Sequence, residues 1–266
     1  TQLIGEQLWF EIIGPPSSGK TTLLEGISVN KKFVLSKDTI RGFYSGWKDN
    51  SGEDSSLISQ AMGKTLAMKE GAAFCRAPNV QQILSEGRGI YDRVGRTHYR
   101  NATADEYVGA RMTWIICGTS AIRAEIDSSE LGARFLACVV MDGIDDDFED
   151  EVLSQAVQQE ANGMLVESNG SAASSHPEDL AYAMQLTGGY VGYLRENATD
   201  LVSAVHMDTP DLMRCARIGK FVAYMRARPD KRNETREREF GARLAKQFTR
   251  LARSVAAVLG AKSLDE

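Results

Sequence analysis

Gly14-Pro15-Pro16-Ser17-Ser18-Gly19-Lys20-Thr21 sets two glycines, a lysine and a hydroxyl at the spacing G-x-x-x-x-G-K-[ST], a pattern suited to holding phosphate. Backbone N–H groups converging in a tight loop neutralise several negative charges at close range, and Gly14 and Gly19 leave room for that approach. Pro15 and Pro16 carry no N–H, so the donors are expected from Ser17 and Ser18 onward, through Gly19 and Lys20 to Thr21 and Thr22. Lys20 reaches β and γ phosphates as a point charge, and the Thr21 hydroxyl is placed to ligate a metal ion. The implied chemistry is nucleotide binding.

Hydrolysis of a γ-phosphate needs more than a cradle. An acidic group must orient water or hold metal, and positive charge must meet the transition state. Candidates stand near the ends of apolar runs. Glu70 follows Thr65-Leu66-Ala67-Met68-Lys69, Thr119 and Ser120 follow Trp114-Ile115-Ile116-Cys117-Gly118, and Arg134 precedes Phe135-Leu136-Ala137-Cys138-Val139-Val140-Met141.

These runs, with Leu8 to Ile13 before the glycine loop and Lys32 to Ser36 after the first helix, make five expected strands. Those ending in Gly118 and Met141 are apolar without alternation, as strands covered on both faces are, and helical segments between strands imply a parallel sheet. The first helix carries Leu23, Leu24 and Ile27 at helical spacing, and Pro78 opens another with Val80, Ile83 and Leu84. Beyond Asp142 the expected elements are helices: Glu151 to Met164, Pro177 to Leu186, Pro210 to Tyr224, and a last one whose apolar face runs from Phe240 to Leu259 before Gly260. The fold expected is α/β, a five-stranded parallel phosphate-loop core over residues 1–145 with a C-terminal helical lid over 146–266.

Between the third and fourth strands, Val94 to Arg100 and Tyr107 to Met112 flank a polar turn and suit a β-hairpin. Arg96, His98 and Arg100, with Arg93 and Arg111, make it basic, and Tyr99 and Tyr107 offer stacking faces. That combination suits a single nucleic-acid strand; a solvated surface excursion is the alternative.

Composition narrows the classes. A chain of 266 residues with 42% hydrophobic content can bury a sizeable core. No apolar run approaches the roughly 20 residues that span a bilayer, and no basic segment leads into an apolar signal core, so a soluble cytoplasmic protein is expected. Cys75, Cys117, Cys138 and Cys215 form no C-x-x-C pair, and His98, His176 and His206 lack metal-ligand spacing, so neither a disulfide framework nor zinc is expected. A net charge of −5 excludes a uniformly basic coat. The acidic cluster from Asp142 to Glu151 does not match a calcium loop and reads as a helix start.

The set resembles the AAA+ ATPases, whose phosphate loop often begins Gly-Pro-Pro as here. The hairpin ahead of the fourth strand, the Leu131-Gly132-Ala133-Arg134-Phe135 run and the terminal helix are most similar to minichromosome maintenance helicases and phage-type replication ATPases. The resemblance implies that ATP and Mg²⁺ are bound, that Thr119 or Ser120 is sensor 1, and that Arg134 is a trans-acting finger. In Phe240-Gly241-Ala242-Arg243-Leu244 it implies a sensor 2 arginine at Arg243. It further implies a homo-oligomeric ring, a hexamer by preference, acting on single-stranded DNA with replication proteins as partners. One position departs from the family pattern: Lys69 stands where a metal-associated Asp is expected, leaving Glu70 as the acid. A nucleotide-gated helicase loader with slow turnover is the runner-up, and a small-molecule kinase the third reading.

Overall fold

The computed structural model describes residues 7–16, 18–45, 54–98, 104–128, 134–140, 153–154, 157–158, 175–227 and 241–264. Five strands, β1 (Trp9–Ile13), β2 (Val34–Ser36), β3 (Thr65–Met68), β6 (Thr113–Gly118) and β7 (Phe135–Val139), form one sheet in the order β2-β3-β6-β1-β7. Every pairing is parallel. A separate antiparallel pair, β4 (Val94–His98) and β5 (Ala104–Val108), stands off between β3 and β6 in the chain. Helices α1 (Lys20–Ser28), α2 (Leu57–Ala61), α3 (Gly71–Cys75), α4 (Val80–Tyr91) and α5 (Ser120–Ser128) connect the strands. Among the described residues, α6 (Ser175–Glu196), α7 (Ala198–Ser203), α8 (Thr209–Arg226) and α9 (Ala242–Leu259) follow.

Alternation along the strands sorts side chains onto two covered faces. Trp9, Leu66, Met68, Trp114, Ile116 and Phe135 enter one core with Ile83 and Ile90 of α4 and Ile122 and Ile126 of α5. Trp114 is its centre, with ring centroids 5.0 to 5.7 Å from Phe43, Trp9, Phe135 and Phe74. On the opposite face Ile12, Ala67, Ile115 and Cys117 meet Leu24 of α1. Near the starts of β1 and β7, Leu8, Phe10 and Leu136 meet Ala223 of α8 and Leu244 and Phe248 of α9.

The residue 145/146 boundary lies outside the described residues, as does the acidic cluster from Asp142 to Glu151. Of the helix expected over Glu151 to Met164, only Leu153, Ser154, Val157 and Gln158 are described. The helices beyond it pack directly onto the sheet and onto α1. Asn30 donates to the Gly188 carbonyl of α6 at 2.8 Å, and the Arg195 guanidinium of α6 donates to the Gly63 carbonyl. Helix α8 starts with a capping box between Asp208 and Asp211 with proline inside its first turn, and α9 stops at Gly260, φ 75°, as the glycine suggested. Among the described residues no helix is long and apolar enough to cross a membrane.

The hairpin differs from expectation in register. Its second strand is Ala104–Val108, not the segment from Tyr107 to Met112, because Gly109 takes φ 74° and turns the chain so that Ala110 and Met112 enter the core. Arg96 stands opposite Glu106 and Thr97 opposite Asp105, which sets two acids of the sequence beside its arginines in the register. Tyr107 is not a free stacking face either. Its ring stacks on Tyr44 at 5.4 Å, and its hydroxyl donates to Asp54 at 2.7 Å.

Asp54 gathers several donors: the Ser56 amide at 2.9 Å, the Ser59 hydroxyl and Tyr107. Burial alone raises the Asp54 carboxyl, but these hydrogen bonds overcome it and hold the group down at about 2. A lowered folded-state value means the stabilisation is fully present above the ordinary 3.8 and is lost as pH falls toward 2. Tyr107→Phe removes one donor to a partly exposed carboxylate and is expected to cost about 1 to 2 kcal/mol at pH 7. Urea unfolding of both proteins at pH 7 and near pH 2 checks this, because the difference should shrink in acid.

Candidate functional site at the carboxyl edge of the sheet

Parallel strands bring all their carboxyl ends to one rim, and the sheet order decides which loops become neighbours there. The Gly14 to Thr22 loop leaves β1, the hydroxyls follow β6, and Glu70 follows β3, so the three stand side by side. Met68 is level with Ile116, and Gly118 with Ile13. Glu70 is therefore level with the end of β6 and roughly 10 Å, two strand spacings, from the start of the loop.

The loop itself is built closely. The Gly14 amide donates to the Gly118 carbonyl at 3.1 Å, which ties the loop to β6 and removes that N–H from any ligand. A Cβ on Gly14 would stand 2.8 Å from the Ser18 hydroxyl and 3.0 Å from Val140 Cβ. Gly19 takes φ 75° as the N-cap of α1, a conformation that side-chain-bearing residues rarely adopt. The first amide closed in the helix is that of Leu23, onto the Gly19 carbonyl at 3.0 Å. The amides of Lys20, Thr21 and Thr22 consequently point out of the helix start, where its dipole is positive.

Lys20 folds back over the loop. Its ammonium donates to the Gly14 carbonyl at 3.0 Å, to the Ser18 hydroxyl at 2.9 Å and to the Pro15 carbonyl. A cation thus spans the concavity, held by the atoms that flank it. Pro15 and Pro16 are exposed, and Ser17 lies outside the described residues. Behind the loop, Cys117 approaches the Lys20 carbonyl at 3.9 Å, and burial pushes its thiol up to about 11 against the opposing charge of Lys20. It is a packing residue, not a nucleophile.

Around the loop stand polar groups with no side-chain hydrogen bond or ion pair among the described residues: Thr21, Thr22, Glu70, Thr119 and Ser120. Glu70 is exposed and precedes α3, yet makes no side-chain cap to it. Thr119 is half-buried and Ser120 exposed at the start of α5. Gly71 next to Glu70 permits close packing, since a Cβ there would stand 2.6 Å from the Cys117 carbonyl oxygen.

Two arginines lie elsewhere. Arg134 precedes β7, at the amino end of the strands, and is buried within its own chain: it donates to Asp92 at 2.7 Å and lies over the Tyr91 ring at 5.6 Å. The Gln247 amide of α9 donates to its carbonyl at 3.2 Å. That is a structural strut, and a side chain so held does not project toward a neighbouring subunit. Arg134→Ala is expected to destabilise by about 3 kcal/mol, by leaving Asp92 and a buried void without their partner. Thermal unfolding measures it, and turnover per folded molecule should hold. Arg243 is exposed in the first turn of α9, where neighbouring Leu244 packs on Leu8 and Leu136 at the amino end of the sheet. It does not face the Gly14 to Thr22 loop.

Tyr99 and Arg100 lie outside the described residues, and Arg96 and His98 are placed on β4 by their backbone alone. Two features escaped the reading of the sequence. Glu11, buried in the middle of β1, is 3.6 Å from Arg123 of α5 and so fixes the helix that begins at Ser120; an acid inside an apolar strand was the available signal. Lys69 pairs with Glu25 of α1 at 2.8 Å, a long-range contact with no local signature.

The residues fit a triphosphate: open amides, a cation spanning the concavity and two hydroxyls at a helix start. They fit Mg²⁺ poorly. Thr21 supplies one oxygen, and position 69 supplies an ammonium where an acid would help to hold the metal. No protein-family model matches the chain, and no curated protein matches it. Residue geometry alone carries the functional reading.

Proposed function

We propose that the chain binds ATP in the Gly14 to Thr22 loop and hydrolyses it to act on single-stranded DNA, as an AAA+-like ring-forming motor resembling replication helicases. The observation that supports this best is the rim: a phosphate-type loop, uncommitted hydroxyls at Thr119 and Ser120, and the uncommitted acid Glu70 on three adjacent strands. In this reading Lys20 leaves the loop carbonyls for the β and γ phosphates, the helix-start amides hold the phosphate oxygens, and the Thr21 hydroxyl is the one loop oxygen that would hold an Mg²⁺ ion, whose part would be charge neutralisation. Glu70 orients the attacking water, with Thr119 or Ser120 beside the γ-phosphate. The hairpin, through Arg96, His98, Tyr99 and Arg100, takes the strand. Because Arg134 is buried, any trans-acting cation in the ring is a different residue.

A second reading, a nucleotide-gated loader or remodelling switch with slow turnover, is favoured by the ammonium of Lys69 at the place of the metal-holding acid. ATPase activity of the purified chain with and without single-stranded DNA, together with its mass in solution with a non-hydrolysable ATP analogue, separates the two. Stimulation by DNA with assembly supports the motor. Nucleotide binding with neither supports the switch, and no nucleotide binding overturns both.

A further inference from the structure

We propose that Lys69 is a built-in counter-ion for the bound nucleotide, so that nucleotide affinity depends little on Mg²⁺. The inference rests on the reading of the loop as a triphosphate site and adds a residue that the phosphate pattern does not contain.

Lys69 follows β3 directly and lies two positions after Ala67, whose side chain packs under α1 with Leu24 and Cys117. Strand alternation turns Lys69 toward the same side, and its ammonium meets the Glu25 carboxylate of α1 at 2.8 Å. Glu25 is four residues after Thr21 and shares its stripe of the helix. Helical side chains lean toward the amino terminus, so the carboxylate lies over the turn that carries Thr21, and the ammonium with it. That places the charge within about one helical turn of the phosphate cradle.

The ion pair can exchange. Its side chains are 24% and 43% exposed, and a partly exposed pair is weakly held. A triphosphate carries more negative charge than one carboxylate, so the ammonium has a stronger partner within reach of a flexible four-carbon stem once nucleotide arrives. Two lysines, 20 and 69, then neutralise charge that a divalent cation neutralises where an acid is present to hold it. The poor fit of this rim to Mg²⁺ and the position of Lys69 are one arrangement.

The test is equilibrium binding of a fluorescent ATP analogue to the full chain, in Mg²⁺ and in EDTA. Wild type should lose less than about threefold in EDTA, whereas Lys69→Met should lose about thirtyfold or more in EDTA and little in Mg²⁺, the size of one charge-assisted contact to phosphate. Lys69→Arg should keep most of the EDTA affinity, and circular dichroism confirms that each variant is folded. A wild type that needs Mg²⁺ as strongly as Lys69→Met does overturns the role of Lys69 and leaves the loop assignment standing. No binding by wild type in either buffer overturns the loop assignment and the inference with it.

Discussion

Glu70→Gln is expected to lower ATP turnover by about 10² to 10⁴, the usual contribution of a positioned acid–base group, while leaving nucleotide affinity and unfolding free energy nearly unchanged. The separation of effects follows from its surroundings. The side chain is exposed and makes no cap to α3, so its loss removes nothing from the fold. The backbone carbonyl of Glu70 still accepts from the Ala73 and Phe74 amides at 3.1 and 3.2 Å, which keeps α3 in place in the variant. Steady-state phosphate release and a nucleotide titration on the same preparation check it. Equal turnover in the two proteins would return Glu70 to an ordinary surface acid at a strand end.

Trp114→Ala should cost about 3 to 5 kcal/mol, the range for removing a buried aromatic side chain. Trp114 is fully buried on the central strand, touches four aromatic rings, and donates its indole N–H to Met68 Sδ at 3.1 Å. The rings meet mostly edge to face, an arrangement worth more than its area alone. Against a typical stability of about 5 to 15 kcal/mol, one such loss is a fifth of the total or more and lowers the denaturation midpoint in proportion. Urea denaturation of Trp114→Ala and Trp114→Phe together tests the account, because the phenylalanine should recover a large part of the loss.

The five strands were legible because each apolar run has a strand's length and its neighbours read as helices or loops. Their lateral order was not, since nothing local in β6 says that it inserts between β1 and β3. The Gly14 to Thr22 pattern was legible for the opposite reason, since it is carried by adjacent residues. Arg134 shows the limit. Its fate depends on Asp92, Tyr91 and Gln247, which are distant in sequence, and an arginine before a strand looks the same whether it ends in solvent or over a tyrosine ring. The hairpin was found, but its register hung on Gly109, whose positive φ no periodicity announces.

Tyr107 gives the hairpin a mechanical character. It pairs with Gly95, one step above the root of the ribbon, so three further pairs, or about 10 Å of strand, reach past it. The ribbon is a lever pinned near its base, with the Asp54, Ser56 and Tyr107 cluster as fulcrum. A load on the ribbon beyond Tyr107 is delivered there, to a segment that continues through α2 into β3 and ends at Lys69 and Glu70. Whatever pulls on the ribbon pulls on the strand that leads to Glu70.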